Sequence, residues 1–124
     1  VTLFVQLTFH LLMTIGIYKL KIKGLARVYI GSSVNIESRY KTHVRELTNG
    51  THHNYKLQNA YNRKIRRKQL VEFELEILEV IDTKDNLLLS ELEHFWIVCL
   101  DAVVKGYNVN YDTCRIYRPN IKRK

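Results

Sequence analysis

The sequence predicts an α+β domain, a small antiparallel three-stranded sheet flanked by helices in the order ββααβα. Three observations carry this. Residues 71–77 alternate without error, Val71, Phe73, Leu75 and Ile77 against Glu72, Glu74 and Glu76, which is the period of a strand. Residues 16–31 hold two more short alternating runs around Lys23-Gly24-Leu25, the pattern of a hairpin. Between and after these strands lie three segments whose apolar residues recur at helical spacing. A chain of 124 residues suffices for one core and not for two. With one Pro, five Gly and 46% hydrophobic residues, disorder and low complexity are excluded.

The first element is a hydrophobic leader, assigned to residues 1–14. The run VTLFVQLTFHLLMTI has no formally charged residue and no small-residue cleavage site, and it falls short of the ~20 residues of a membrane helix. Val1, Leu3, Val5, Leu7, Phe9 and Leu11 alternate with mostly polar neighbours, which favours an extra strand over a helix. A start at Val suits a fragment or a reading frame continuous with something upstream. The main domain is assigned to residues 15–112 and a basic tail to 113–124.

Within the domain the hairpin runs Gly16–Ile22, a turn, then Arg27–Gly31. Tyr18, Leu20 and Ile22 fall on one face, with Lys19, Lys21 and Lys23 on the other. Asn35 is the N-cap expected for the helix IESRYKTHVREL, with Glu37 in its first turn and a stripe of Ile36, Tyr40, Val44 and Leu47. Arg39 and His43 sit four apart along the edge of that stripe. Asn49-Gly50 ends the helix, and Asn54 caps a second one, YKLQNAYNRK, which leads into the basic run Arg63, Lys64, Arg66, Arg67 and Lys68. After the third strand a helix is expected from about Asn86 to Val104, apolar almost all round, ended by Gly106.

Lys and Arg outnumber Asp and Glu by 20 to 12, a formal net charge of +8, so the expected partner is a polyanion, nucleic acid before an anionic membrane. Cys99 and Cys114 are the only cysteines, and Cys99 reads as a core position on the last helix. That leaves no disulfide framework or zinc site to argue for, and the expected compartment is reducing. Gly-rich phosphate loops and a GxSxG elbow are also absent from the sequence.

The residues left to carry chemistry cluster in a few places. Tyr18 follows Gly16 by two and Tyr29 precedes Gly31 by two, so each phenol has a bare position beside it on its own face. If positions summing to 47 pair, Tyr18 opposes Tyr29 and Gly16 opposes Gly31. Arg39 offers a guanidinium fork for phosphate oxygens, and His43 an imidazole that titrates near neutrality. His52 and His53 stand just before a helix N-terminus, a place suited to a phosphate contact. On the last helix Glu93 projects among Leu89, Ile97, Leu100 and Val104, where a carboxylate needs a partner, a proton or a cation. Glu91 is flanked in a similar way by Phe95 and Val98, so projection does not choose between the two.

Taken together, GIY at 16–18, YIG at 29–31, R-x-x-x-H at 39–43, the His52 loop, LQNAYNRK at 57–64, E-x-E-x-x-W-I at 91–97 and GYN at 106–108 resemble the GIY-YIG nuclease family, most of all its intron-encoded homing endonucleases. The resemblance implies hydrolysis of a DNA phosphodiester by water, aided by one divalent metal, Mg²⁺ first and Mn²⁺ as its substitute. It implies that Tyr18 and Tyr29 are the hairpin tyrosines, one of them helping to deprotonate the attacking water. Arg39 would hold the scissile phosphate, His43 and His52 would assist, Glu93 would bind the metal, and Asn108 would brace the site. The expected partner is double-stranded DNA, contacted mostly at phosphates by Lys19, Lys21, Lys56, Arg63, Lys64, Arg66 and Arg67, with no stable membrane partner. Homing members of the family usually add a C-terminal DNA-recognition region. Only about a dozen residues follow the domain here, so recognition would fall to a further region or partner. The sequence also departs from the family where a Gly usually follows NRK, since it has Ile65 there. The alternative function is a basic nucleic-acid-binding module that keeps the fold without turnover.

Overall fold

The computed structural model describes residues 14–109; the expected leader strand, Cys114 and the basic tail lie outside the described residues. Its elements are β1 (Ile15–Ile22), β2 (Tyr29–Ser33), α1 (Ile36–Asn49), α2 (Tyr55–Arg66), β3 (Phe73–Ile81) and α3 (Asn86–Cys99), the expected ββααβα order. The three strands form one antiparallel sheet in the order β2-β1-β3. The helices start where side chains satisfy their first N–H groups. Asn35 accepts from Ser38 N, Asn54 from Leu57 N, and Asp85 from Leu87 N and Leu88 N. Gly50 closes α1 in the left-handed region at φ 77°.

Each face of the sheet supports its own core. Tyr18, Leu20, Ile22, Tyr29 and Leu75 pack against Ile36 and Leu47 of α1 and Leu57 and Ala60 of α2. Ile17 and Ile30, from the opposite face, pack against Leu89 and Ile97 of α3 and against Ala102. The charged alternation of β3 is met by that of β1. Lys19 pairs with Glu76 at 2.9 Å, Lys21 with Glu74 at 3.7 Å and Lys23 with Glu72 at 3.3 Å.

Three expectations need correction. The hairpin pairs two residues away from the expected register: Tyr18 lies opposite Gly31, Gly16 opposite Ser33, and Leu20 opposite Tyr29. A shift of two keeps every side chain on its face, so the alternation alone does not reveal it. Its cause is a longer connection, because β2 begins only at Tyr29, and the Val28 carbonyl is taken by Tyr107 N at 2.8 Å. Next, α3 stops at Cys99, well before Val104. Asp101 turns the chain at φ 51° and delivers Ala102 into the core. Lastly, Cys99 is exposed, as are Phe95 and Val98, because Leu89 and Ile97 define the face that meets the sheet.

Candidate active site

The missing side chain at Gly31 creates the site. A Cβ there would lie 2.4 Å from Tyr18 Oη and 2.5 Å from its Cζ, so the phenol occupies the space that any other residue would claim. β2, which carries Gly31, is an edge strand of the sheet. A cavity of about 350 Å³ forms there, and Tyr18, Tyr29, Ser32, Arg39 and Glu93 all line it. Residues from β1, β2, α1 and α3 therefore meet around one concavity.

Glu93 reaches the cavity from the buried face of α3, between Leu89 and Ile97, and accepts a hydrogen bond from Ser32 Oγ at 2.5 Å. Glu91 is exposed and does not line it, so the fold makes the choice that helical projection leaves open. Tyr18 is 1% exposed. Burial above all, then the Tyr29 phenol, holds its pKa well above the ordinary value, while the Arg39 guanidinium pulls the other way and Glu93 adds to the rise.

The histidines lie behind the tyrosines, outside the cavity lining. His43 is fully buried and occupies the centre of the stripe that was expected to hold Tyr40 and Val44. Its Nε2 is 2.6 Å from Tyr18 Oη and its Nδ1 is 2.7 Å from His52 Nε2. Burial first, then the positive charge of Arg39, lowers its pKa to about 2. The exchangeable imidazole expected from the sequence is therefore a neutral ring at any physiological pH. His52 is also buried, and desolvation followed by its neighbour His53 lowers its pKa to about 4. His53 is exposed and stacks on it with ring centroids 4.6 Å apart.

Asn108 acts as a piece of strand. Its Oδ1 accepts from Ile30 N at 2.8 Å and its Nδ2 donates to Ile30 O at 2.9 Å, closing the outer edge of β2 between Tyr29 and Gly31. It holds the strand that carries the site and does not line the cavity. Lys56 is likewise committed to structure, its Nζ donating to Val103 O and Asn108 O at 3.3 and 3.4 Å. Lys19 and Lys21, expected on a DNA-binding face, are held by Glu76 and Glu74 on β3. Arg63, Arg66 and Arg67 are exposed at the C-terminal end of α2, where positive charge also suits the helix dipole; Lys64, in the same turn, is half-buried.

The sequence does not single out Ser32 or Gln58, and marks Asn54 only as a helix cap. Ser32 could have been found from its place directly after YIG, on the face toward α3. No local signal marks the bonds of Gln58 to His52 N and Leu47 O or of Asn54 to Tyr107 O, because those partners are backbone groups of other segments. Among the described residues, Glu46, His52 and His53 also bring three ligand-type atoms within 4.8 Å of one another. Both ring nitrogens of His52 are already bonded, to His43 and to Asn54 N, so a cation there would have to break one of them.

Residues 14–108 match the GIY-YIG catalytic domain. Intron-associated endonuclease 1 of Enterobacteria phage T4 is 38% identical over 97 residues, covering 78% of this chain and 37% of that protein. Two structures of the catalytic domain of intron endonuclease I-TevI superpose on this fold. One is a point mutant, with a TM-score of 0.71 and 36% identity over 82% of this chain and 98% of that one. The other has a TM-score of 0.67 and 34% identity over 77% of this chain and 98% of that one. With its fold, its two namesake tripeptides and a match that spans residues 14–108, the chain belongs to the GIY-YIG family of catalytic domains.

Proposed function

We propose that this chain is a divalent-metal-dependent endonuclease of the homing type that hydrolyses phosphodiester bonds in double-stranded DNA. One observation carries the reading: a carboxylate, a guanidinium and two phenols from four elements share one cavity. Phosphodiester hydrolysis requires an oriented water, stabilisation of charge on the phosphate oxygens and a proton path for the leaving alkoxide. Arg39 supplies a fork of donors for two phosphate oxygens. The tyrosines orient water and move its proton. In the free protein Tyr18 keeps its own proton at neutral pH, since its pKa stands above the ordinary value.

The lining suits a hard cation. Among the described residues Glu93 is the cavity's only carboxylate and no imidazole lines it, while Ser32 Oγ is bonded to Glu93 and Ser90 is a further hydroxyl residue of the lining. That is a donor set for Mg²⁺, or Mn²⁺ in its place, which keeps most of its shell as water and substrate oxygens. When bound, the ion acidifies a water and neutralises charge on the phosphate. On the DNA side, Arg39 and the exposed Arg63, Arg66 and Arg67 contact phosphates. Lys19 and Lys21 contribute little, because neighbouring glutamates offset their charge. The chain spans 37% of the length of its phage relative, and we assign site recognition to a region or partner beyond the described residues.

Supercoiled plasmid should be cut in Mg²⁺ or Mn²⁺ and remain intact in EDTA. Glu93→Ala and Arg39→Ala should each reduce cleavage by about 10²-fold or more with an unchanged circular dichroism spectrum. A pure Glu93→Ala protein that cuts at the parental rate would remove that residue from the mechanism. DNA binding without cleavage under any divalent metal would make the chain a binding module on a nuclease fold.

A further inference from the structure

The cluster behind the cavity has a direction. The backbone N–H of Asn54 donates to His52 Nδ1 at 3.0 Å. A backbone N–H can only donate, so this ring nitrogen carries no proton, and a neutral imidazole must then hold its single proton at Nε2. His52 Nε2 lies 2.7 Å from His43 Nδ1, which becomes the acceptor. By the same argument the proton of His43 is at Nε2, 2.6 Å from Tyr18 Oη. We propose that Asn54 fixes a one-way chain of N–H donors, His52 to His43 to Tyr18, which occupies a lone pair of the phenol oxygen and turns its hydroxyl proton toward the cavity.

His43 is then no base for the Tyr18 proton. It is a positioning residue that holds the oxygen, and it strengthens as a donor if the phenol becomes a phenolate. The hydroxyl then donates its hydrogen bond on the cavity side, where the substrate lies. The opposite arrangement, with Tyr18 donating to His43 and His43 to His52, would place a ring N–H against the Asn54 N–H.

The chain can hold one direction because its origin is pinned. Asn54 Oδ1 caps α2 through Leu57 N at 2.9 Å, and Asn54 Nδ2 donates to Tyr107 O at 2.8 Å. The peptide of His52 is held as well, its N–H donating to Gln58 Oε1 at 3.0 Å, while Gln58 Nε2 donates to Leu47 O at 3.1 Å. The tautomers are also stable, since burial keeps both rings neutral. The catalytic consequence rests on the endonuclease reading, whereas the tautomers do not, and the two fail separately.

The direct test is a long-range ¹H–¹⁵N correlation of the histidine rings in the uniformly labelled protein near neutral pH. Nε2–H at both His43 and His52 is expected; Nδ1–H at either overturns the proposal. In the plasmid assay His52→Leu, which removes the donor to His43, should lower kcat about 10- to 100-fold with KM within about twofold. His52→Gln, whose amide N–H can replace the ring Nε2–H, should recover most of that loss. Equal impairment in H52L and H52Q overturns the donor role. A parental protein that never cleaves DNA would sink the endonuclease reading, and the ring spectra would still decide the direction of the chain.

Discussion

Tyr18 has a place in the fold because Gly31 has no side chain. The two lie opposite each other across β1 and β2, and the phenol fills what would be the Cβ volume of residue 31. Gly31→Ala therefore moves the Tyr18 oxygen before it unfolds the protein. We expect a loss of about 1–3 kcal/mol in stability, typical of overpacking, together with a fall in cleavage of about 10²-fold. Urea unfolding and plasmid cleavage on the same preparation check this, and full activity in the Gly31→Ala protein would show that the phenol has another place to go. Glu93 owes its role to a neighbour in the same way. Its carboxylate is held by Ser32, the residue following YIG, so strand and helix orient each other.

At the scale of elements, the connection from α2 to β3 departs from the family resemblance. Where a Gly is expected at position 65, the helix continues to Arg66 with Ile65 exposed. The left-handed residue comes later, at Lys68, with φ 56°. A non-glycine residue in that region costs about 1–2 kcal/mol, partly offset by the lower entropy of its unfolded chain. Lys68→Gly should accordingly raise stability by about 0.5–1 kcal/mol, seen as a higher urea midpoint with an unchanged slope. A lowered midpoint would mean that the lysine side chain contributes more than its backbone costs. The early end of α3 has an equally local cause, since Asp101 and Ala102 turn into the core where another helical turn would run past it.

For the whole molecule, the buried histidines couple the site to pH. In the folded protein their pKa values are about 2 for His43 and about 4 for His52, against an ordinary value of 6.5. Below pH 6.5 the unfolded chain binds protons that the fold refuses, so stability falls as pH falls. The loss is about 1.4 kcal/mol per pH unit for each histidine, both contributing down to about pH 4 and His43 alone below it. Urea unfolding at pH 7.5, 6 and 5 should show a decline that steepens below pH 6.5, and a flat profile would mean that the rings bind protons as readily in the fold as in the unfolded chain. The formal charge of +8 already sets Lys19, Lys21 and Lys23 against Glu76, Glu74 and Glu72, so the excess that a polyanion meets lies on other basic residues, the exposed Arg63, Arg66 and Arg67 among them.

Much of this was readable along the chain. The alternation of residues 71–77, the caps Asn35 and Asn54, and the stop at Gly50 are signals within a few residues of one another, and backbone periodicity follows from them. The ordered tripeptides and the R-x-x-x-H spacing likewise pointed to one family. What local pattern could not express is which partner a side chain meets. The hairpin register turned on Val28 pairing with Tyr107, the choice of Glu93 over Glu91 on a concavity shared by four elements, and the pairing of Lys19 and Lys21 on β3 lying beside β1. The neutrality of His43 is of the same kind. An imidazole on a helix edge is basic in water and loses its charge only when two strands, a loop and a second histidine close over it, because desolvation is a property of the assembled volume and leaves no mark in the order of residues.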